Sequence, residues 1–225
     1  MLKGISIAID GPAAAGKSTI AKRIAQKLRY TYIDTGAMYR ALTHKAIKSG
    51  INMDSDHDLS DLLEGTEILL VPNNGSQAVW IDGVDCSNEI RSEEVTAAVS
   101  KVAAHTTVRK LMVDKQRELA NESGVVMDGR DIGTAVLPDA DLKIFMTASV
   151  EERAERRFQE NEKRGIYTPL ERLKEDIEKR DRADSEREVS PLKKADDAIL
   201  VDTTSMTIDE VVDKVIELAE VRLER

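Results

Sequence analysis

A short run near the start of the chain has the residue types that hold a polyphosphate. Gly11, Gly16, Lys17 and Ser18 fill the pattern G-x-x-x-x-G-K-[ST] without a mismatch. Glycines let backbone N–H groups turn inward around phosphate oxygens, and the N-terminus of a following helix adds partial positive charge. The Lys17 ammonium would reach the β- and γ-phosphates, and the Ser18 hydroxyl would help to hold Mg²⁺. This spacing indicates binding of a nucleoside triphosphate.

The residues on either side of this loop predict the strand and the helix that must position it. Ile5, Ile7 and Ile9 are apolar and β-branched, as in a buried strand of a parallel sheet. After the loop, apolar residues recur at helical spacing, namely Ile20, Ala21, Ile24, Ala25 and Leu28. The alternative, a glycine-bearing turn that binds nothing, is disfavoured because the strand and the helix are both present.

The rest of the chain alternates between strand and helix patterns. Further strands are expected at residues 31–33, 124–127, 142–146 and 198–201, with helical spacing over 92–121 and a closing helix over 208–223. This order predicts an α/β fold with a parallel five-stranded sheet flanked by helices. Short strands at 67–71, 78–81 and 84–85, with turns at 73–75 and 82–83, predict a small antiparallel β insert.

The composition of the chain indicates its cellular compartment and the classes of partner that it does not bind. The chain has 225 residues and a formal net charge of −9, which argues against non-specific binding to nucleic acid. Its single cysteine, Cys86, excludes an internal disulfide and fits a reducing compartment. No apolar run approaches the ~20 residues of a membrane-spanning helix, and the first strand begins too early for a signal peptide. We expect a cytoplasmic monomer that binds no nucleic acid and no membrane.

Charged residues follow two of the predicted strands. Asp128, Arg130 and Asp131 come directly after the strand at 124–127, at the sheet edge where α/β proteins bind ligands. The alternative is a surface turn that uses Asp and Gly for their backbone preferences. After the strand at 31–33, Thr35 is expected to cap a helix running to about Ser49, and Arg40 would lie in that helix.

Residues 149–189 are rich in arginine and are expected to form two helices separated near Gly165. Helical spacing aligns Arg153, Arg156 and Arg157 on one face of the first helix. In the second helix, Arg180, Asp184 and Arg187 align in the same way. A solvated helix surface is the alternative interpretation of both groups.

The residues outside the phosphate loop indicate which class of nucleotide-binding protein the chain belongs to. The stretch nearest to the guanine motif N-K-x-D, residues 193–196, lacks the Asn, which argues against a regulatory GTPase. Transfer between two phosphates must overcome repulsion between anions, and arginines are permanently charged, bidentate partners for their oxygens. A mobile arginine-bearing lid would also exclude water as a competing acceptor. A small-molecule kinase therefore fits the chain best.

Four stretches, in order, make the chain resemble the bacterial cytidylate kinases. They are residues 11–19, Asp-Thr-Gly-Ala-Met-Tyr-Arg at 34–40, Asp-Gly-Arg-Asp-Ile-Gly-Thr at 128–134, and Lys-Arg-Asp with Asp184 and Arg187 at 179–187. The β insert is a further feature of that family, so the resemblance covers essentially the whole chain. It implies transfer of phosphate from ATP, with Mg²⁺, to CMP or dCMP.

The resemblance also implies a role for each candidate residue. ATP would contact Gly11, Pro12, Ala13, Ala14, Ala15, Gly16, Lys17, Ser18 and Thr19, with Arg153 and Arg157 from the lid, and Ser18 would hold the metal. Thr35, Arg40 and Arg130 would hold the acceptor phosphate, Arg180 and Asp184 the sugar, and Ser100, Arg109, Asp131 and Arg187 the cytosine. The catalytic residues would be Lys17, Arg130 and Arg40. Thr35 departs from the serine common in the family but keeps the hydroxyl.

The base chemistry agrees with these types, since cytosine offers an amino donor beside two acceptors. No general base is assigned, because a phosphate acceptor is already nucleophilic and positioning determines the rate. The resulting plan is one kinase domain with a core at 1–50, 91–148 and 190–225, an acceptor-binding insert at about 51–90, and a lid with its following helix at about 149–189. The alternatives are a kinase for UMP or for a non-nucleotide alcohol, and a non-catalytic nucleotide sensor.

Overall fold

The structure is a computed structural model and describes residues 4–73, 76–121, 124–163 and 165–224. Its strands, in chain order, are β1 (Ser6–Asp10), β2 (Thr31–Asp34), β3 (Ile68–Asn73), β4 (Ser76–Ile81), β5 (Val84–Asp85), β6 (Val125–Gly129), β7 (Leu142–Thr147) and β8 (Ile199–Asp202). Its helices are α1 (Lys17–Leu28), α2 (Thr35–Lys48), α3 (Asp56–Glu64), α4 (Glu93–Val102), α5 (Thr106–Leu119), α6 (Val150–Lys163), α7 (Leu170–Glu186) and α8 (Ile208–Leu223). A 3₁₀ turn spans Glu89–Arg91, and a π-helical turn spans Ile132–Val136.

The central sheet has five parallel strands in the order β2–β6–β1–β7–β8, which confirms the predicted fold class. β1 lies in the middle, and its Ile7, Ala8 and Ile9 are fully buried. Ile7 and Ile9 pack with apolar residues of α1 and α8, whereas Ala8 packs on the opposite face with Ile132 and Met127. Helical cover on both faces explains why β1 is apolar at every one of these positions.

The three short strands form the separate antiparallel sheet that was expected, in the order β3–β4–β5. Its inner face packs on α2, where Val79 and Ile81 meet Ala37 and Ala41. The turn at residues 82–83 is observed, whereas the tip of the other hairpin, residues 74–75, lies outside the described residues. α3 shares a second apolar core with α2, α4 and α5, which fixes the insert to the main body.

Two local expectations are corrected. The helical pattern over 92–121 is two helices, α4 and α5, with a break at residues 103–105. Asp34, not Thr35, caps α2: its backbone is extended, and its carboxylate accepts a hydrogen bond from the N–H of Ala37 at 2.9 Å. A carboxylate in this position also interacts favourably with the positive end of the helix dipole. Thr35 is thereby free to act as the first helical residue.

Gln77 of β4 connects the insert to the edge of the central sheet. Its Oε1 accepts a hydrogen bond from the N–H of Asp34 at 3.1 Å, and its Nε2 donates to the carbonyl of Tyr32 at 2.6 Å. These two backbone groups are the pair that one residue of a further parallel strand would use. The side-chain amide therefore supplies hydrogen-bond partners to two backbone groups of this edge strand, immediately before α2 begins.

We expect Gln77→Ala to lower the free energy of unfolding by about 1–2 kcal/mol, because two partly buried backbone groups lose their partner. Urea unfolding followed by circular dichroism measures this loss. Gln159→Ala is the control, since Gln159 is exposed and its side chain donates to Glu155 of its own helix at 3.3 Å. Equal losses in the two variants would show that Gln77 does not support the sheet edge.

None of the helices within the described ranges is long and apolar enough to cross a membrane.

Candidate active site

The candidate residues meet beyond the carboxyl ends of three neighbouring strands. The glycine-rich loop follows β1, Thr35 follows β2, and Asp128 to Asp131 lie at the end of β6. β1 and β2 flank β6, so all three segments open onto one sheet edge. This edge is where open α/β sheets bind ligands.

The loop between β1 and α1 has the backbone geometry of a phosphate cradle. Gly11 has φ 147°, and a Cβ there would stand 2.1 Å from the carbonyl oxygen of Met146, so only glycine fits. Gly16 precedes α1 with φ 85°. Lys17 is buried and its Nζ donates to the carbonyl of Pro12 at 2.7 Å. Burial, together with the nearby Arg130, lowers the pKa of Lys17 to about 7, so an anion bound here would restore its charge.

A buried carboxylate lies beside Ser18. Asp128 is 3% exposed, its Oδ2 accepts from Ser18 Oγ at 2.9 Å, and its Oδ1 accepts from the Tyr32 hydroxyl at 2.7 Å. Burial, and then the charge of Asp34, raise the pKa of Asp128 to about 6. Hydroxyl and carboxylate oxygens are hard donors that suit Mg²⁺, which is usually held by few protein groups plus substrate phosphates. The donor set at the loop therefore fits a magnesium ion.

Asp10 links the phosphate loop to the segment after β6. Its two carboxylate oxygens accept from the N–H groups of Ile132 and Gly133, each at 2.8 Å. Burial raises the pKa of Asp10 to about 6 despite these two bonds. The π-helical turn at 132–136 is thus held by its first N–H groups, which places Arg130 and Asp131 beside the loop.

A small pocket on the other side of Arg130 collects most of the remaining candidates. Its polar lining is Thr35, Ser100, Arg109, Arg130, Asp131, Arg180, Asp184 and Arg187, together with Tyr39. Asp131 lies between two guanidinium groups: Arg109 bonds its Oδ2, and Arg187 Nη2 lies 3.6 Å from its Oδ1. Arg109 is only 2% exposed and also donates to the carbonyl of Ala103 at 3.0 Å. A carboxylate and fixed donors therefore line one pocket.

Several donors in this pocket are not satisfied. Arg109 Nε, Arg180 Nε, Arg187 Nη2 and the Tyr39 hydroxyl are buried without a hydrogen-bond partner among the described residues. Buried polar groups are normally paired, because each unpaired one costs free energy. Such a set is typical of a site whose ligand supplies the missing acceptors.

The cations near Arg130 have too little negative charge around them. Arg130 Nε pairs with Asp184 Oδ2 at 2.8 Å. Burial and the charge of Arg180 lower the pKa of Arg40 to about 9, and burial and the charge of Arg130 lower the pKa of Arg180 to about 10. A bound dianion such as a phosphate stabilises clustered cations of this kind.

The chain matches a model of one known protein family. The family model described as "Cytidylate kinase" matches residues 7–221 of this chain.

The chain belongs to the cytidylate kinase family.

Relatives named cytidylate kinase agree over the full length. The protein from Geobacillus sp. strain WCH70 is 58% identical over 223 residues, covering 99% of this chain and 100% of that protein. The protein from Anoxybacillus flavithermus is 57% identical over 224 residues, covering 100% of both. A solved structure of an uncharacterized protein from Eubacterium ventriosum aligns at a TM-score of 0.53 and 15% identity, covering 96% of this chain and 98% of that one, which shows a shared fold alone.

As a member of the cytidylate kinase family, the chain is a phosphotransferase that phosphorylates CMP and dCMP and takes the phosphate from ATP. The resemblance drawn from the four sequence stretches is thereby confirmed. The phosphate loop and the pocket across Arg130 are two adjoining regions of this chain. Arg130 belongs to both regions, because it pairs with Asp184 in the pocket and lowers the pKa of Lys17 at the loop.

Some of the predicted residues have other partners in this structure. The Thr35 hydroxyl donates to the carbonyl of Asp128 at 2.8 Å. Arg40 Nη1 donates to Thr96 Oγ1 at 2.9 Å and to the carbonyl of Ile90 at 3.3 Å. These bonds leave the lone pairs of the Thr35 oxygen and the Nε and Nη2 donors of Arg40 available to a further partner.

The arginines of α6 separate into different environments. Arg153 is buried, pairs with Asp181 at 2.6 Å and donates to the carbonyls of Ala13 and Ala148 at 3.1 and 3.0 Å. Arg157 is partly exposed and pairs with Glu160 at 3.4 Å. Arg156 was not assigned to ATP from the sequence, yet its Nη1 lies 3.9 Å from where a Cβ on Gly16 would stand. The sequence also gives no indication of the contact between the Tyr32 hydroxyl and Asp128, because a tyrosine two residues before a helix cap belongs to no motif that indicates chemistry.

Proposed function

We propose that the chain transfers the γ-phosphate of Mg²⁺-bound ATP to CMP or dCMP, with the donor on the phosphate loop and the acceptor in the pocket across Arg130. The observation that carries this proposal is that one guanidinium faces both regions. Arg130 is ion-paired to Asp184 in the pocket, and after burial its charge is the largest influence that lowers the pKa of Lys17. A phosphate moving between the two nucleotides would stay beside a fixed positive charge throughout.

The donor half comprises the residues of the loop. The backbone of residues 11–19, which includes the start of α1 and offers an N–H group at every position except Pro12, surrounds the triphosphate, and Lys17 neutralises charge at its β- and γ-phosphates. Ser18, together with triphosphate oxygens, would hold Mg²⁺, and the ion would neutralise charge on the phosphates. Arg153 and Arg157 contribute from the lid, and the nearness of Arg156 to Gly16 supports a contact from that residue as well.

The acceptor half reads the nucleotide from its phosphate to its base. Thr35, Arg40 and Arg130 hold the acceptor phosphate, and Arg180 and Asp184 hold the sugar. Ser100, Arg109, Asp131 and Arg187 contact the cytosine, whose amino group suits a carboxylate and whose two acceptors suit arginine donors. Arg109 Nε and Arg187 Nη2, which have no hydrogen-bond partner among the described residues, support this arrangement, because a cytosine would supply acceptors to both.

Catalysis in this arrangement depends on positioning and charge. The acceptor phosphate is already nucleophilic, so no side chain has to remove a proton from it. Lys17, Arg130 and Arg40 stabilise charge on the transferred group, in a site from which water is excluded. Residues of about 149–189 act as a lid that closes over both nucleotides, and the remainder outside the insert forms the core. The insert of about 51–90 serves acceptor binding by packing on α2, the helix that contains Thr35 and Arg40.

The kinase functions as a cytoplasmic monomer in this proposal, with no nucleic-acid or membrane partner. An alternative acceptor, UMP or a non-nucleotide alcohol, would need a different set of groups in the pocket. Coupled measurement of ADP production with CMP, dCMP, UMP, AMP and shikimate distinguishes these cases. We expect turnover chiefly with CMP and dCMP. ATP binding without turnover of any acceptor would indicate a nucleotide sensor instead.

Base discrimination at Asp131 is the sharpest check of the acceptor half. We expect Asp131→Asn to narrow the preference for CMP over UMP by about 1–3 kcal/mol, mainly by harming CMP. In uracil the amino donor of cytosine becomes an acceptor, so a carboxylate there faces a lone pair, whereas Asn can also donate. The measurement is kcat/KM for both nucleotides in wild type and variant.

Stability must be measured alongside, because Asp131 is buried between two arginines and its neutralisation leaves their charges less compensated. Asp197→Asn is the control, since Asp197 is exposed and pairs with Lys143 away from the pocket. An unchanged CMP-to-UMP ratio in Asp131→Asn would mean that Asp131 does not contact the base.

A further inference from the structure

Tyr32 lies on edge strand β2, but its hydroxyl reaches the group that supports the phosphate loop. The hydroxyl donates to Asp128 Oδ1 at 2.7 Å. Its ring is held from the other side by α1, where Lys22 Nζ lies 5.6 Å from the ring centroid. Lys22 is one helical turn beyond Ser18, so the tyrosine is clamped between Asp128 and the helix that follows the loop.

The Asp128 carboxylate is divided between two donors. Ser18 Oγ donates to Oδ2 at 2.9 Å, while Tyr32 donates to Oδ1. Because Asp128 is almost fully buried, water cannot readily replace either donor. The Ser18 proton is committed to Asp128, which leaves the lone pairs of the same oxygen available to a cation.

We infer that Tyr32 is a positioning residue for the metal-bearing half of the site: by fixing Asp128, it orients the Ser18 hydroxyl toward the Mg²⁺ ion of the donor nucleotide. This inference rests on the proposed role of Ser18. Outer partners that orient a metal ligand commonly change metal affinity by about 10–100-fold when removed. A loss of Tyr32 would leave Asp128 Oδ1 buried without its donor, and the carboxylate could rotate or accept a proton.

The chain offers a matched control two residues away. The Tyr30 hydroxyl also takes part in a hydrogen bond, but as the acceptor from the N–H of Ile5 at 3.2 Å. Ile5 precedes β1, so this bond lies at the opposite end of the sheet from the phosphate loop. Tyr30→Phe and Tyr32→Phe therefore remove the same atom from two partly buried tyrosines of neighbouring sequence, and only the second touches Asp128.

The experiment is calorimetric titration of wild type, Tyr30→Phe and Tyr32→Phe with ATP, once with excess Mg²⁺ and once in EDTA. We expect Tyr32→Phe to weaken binding of ATP with Mg²⁺ by about tenfold, to leave metal-free ATP binding within twofold, and to spare binding of CMP. The Mg²⁺ concentration for half-maximal activity rises in the same variant. Tyr30→Phe leaves all of these quantities unchanged and only lowers the melting temperature slightly.

The outcomes separate the inference from the proposal beneath it. If wild type binds ATP more tightly with Mg²⁺ and Tyr32→Phe retains that difference in full, the role of Tyr32 is wrong and that of Ser18 stands. If Tyr32→Phe weakens ATP equally with and without metal, Tyr32 supports the loop as a whole and the inference is likewise overturned. If wild type itself shows no gain with Mg²⁺, the metal role of Ser18 fails and the inference fails with it.

Discussion

Lys17→Ala is expected to lower kcat by about 10²-fold or more while the fold stays intact, the usual size for loss of one preorganised charge contact. Lys17 is buried in the phosphate loop, and its Nζ donates to the carbonyl of Pro12. Its low pKa, about 7, reflects burial without sufficient counter-charge, and a triphosphate would supply that charge. The variant would therefore bind and turn over ATP without the cation that stabilises the transferred phosphate.

Steady-state kinetics at saturating CMP, with circular dichroism of the same samples, test this expectation. Lys194→Ala is the matched control, because Lys194 also donates to backbone carbonyls, those of Ala195 and Ala198, each at 3.0 Å. We expect near-normal kcat from the control. A Lys17→Ala enzyme with near-normal kcat and an unchanged spectrum would contradict the phosphate-loop assignment.

Arg130→Ala is expected to raise KM for CMP by about 10–150-fold, equivalent to the ~1.5–3 kcal/mol of a hydrogen bond to a charged group. Arg130 pairs with Asp184, and together with Arg180 it holds the pKa of that carboxyl below its usual value although burial acts in the other direction. Removal therefore takes a cation from the acceptor phosphate and also leaves Asp184 less compensated. KM for ATP should change by much less.

Arg117→Ala controls for the loss of a structural arginine. Arg117 donates to the carbonyls of Val136 and Ala135 at 3.0 and 2.7 Å, beside the start of β1 rather than the nucleotide edge. It should reduce stability without changing KM for CMP. Should Arg130→Ala raise KM for ATP and spare that for CMP, the assignments of the two regions would be reversed.

The sheet was predictable because its strands are locally unambiguous. Ile7 and Ile9 lie in a run with Ala8 that is buried on both faces, and such a run has few alternatives to a central parallel strand. The pattern G-x-x-x-x-G-K-[ST] likewise demands one backbone geometry, and Gly11 has it. Where a pattern is compatible with only one backbone structure, as in these two cases, the sequence was sufficient to predict that structure.

Other features depend on which of two similar neighbours takes a role. Asp34 and Thr35 can each cap a helix, and the extended backbone at Asp34 decided between them. Three arginines on one turn of α6 look alike in sequence, but Arg153 is buried against the loop while Arg157 pairs with Glu160 near the surface. The link between Tyr32 and Asp128 spans 96 positions, and no local pattern indicates it.

The position of Gln77 also has a consequence for contact between molecules. An unpaired edge strand is a template on which another chain can add a strand, and proteins commonly block such edges. β2 forms one edge of the central sheet, and the Gln77 amide occupies its Tyr32 carbonyl and Asp34 N–H. By mimicking a neighbouring strand, this one side chain occupies the groups with which another chain would pair, so the insert that carries Gln77 also protects the β2 edge from self-association.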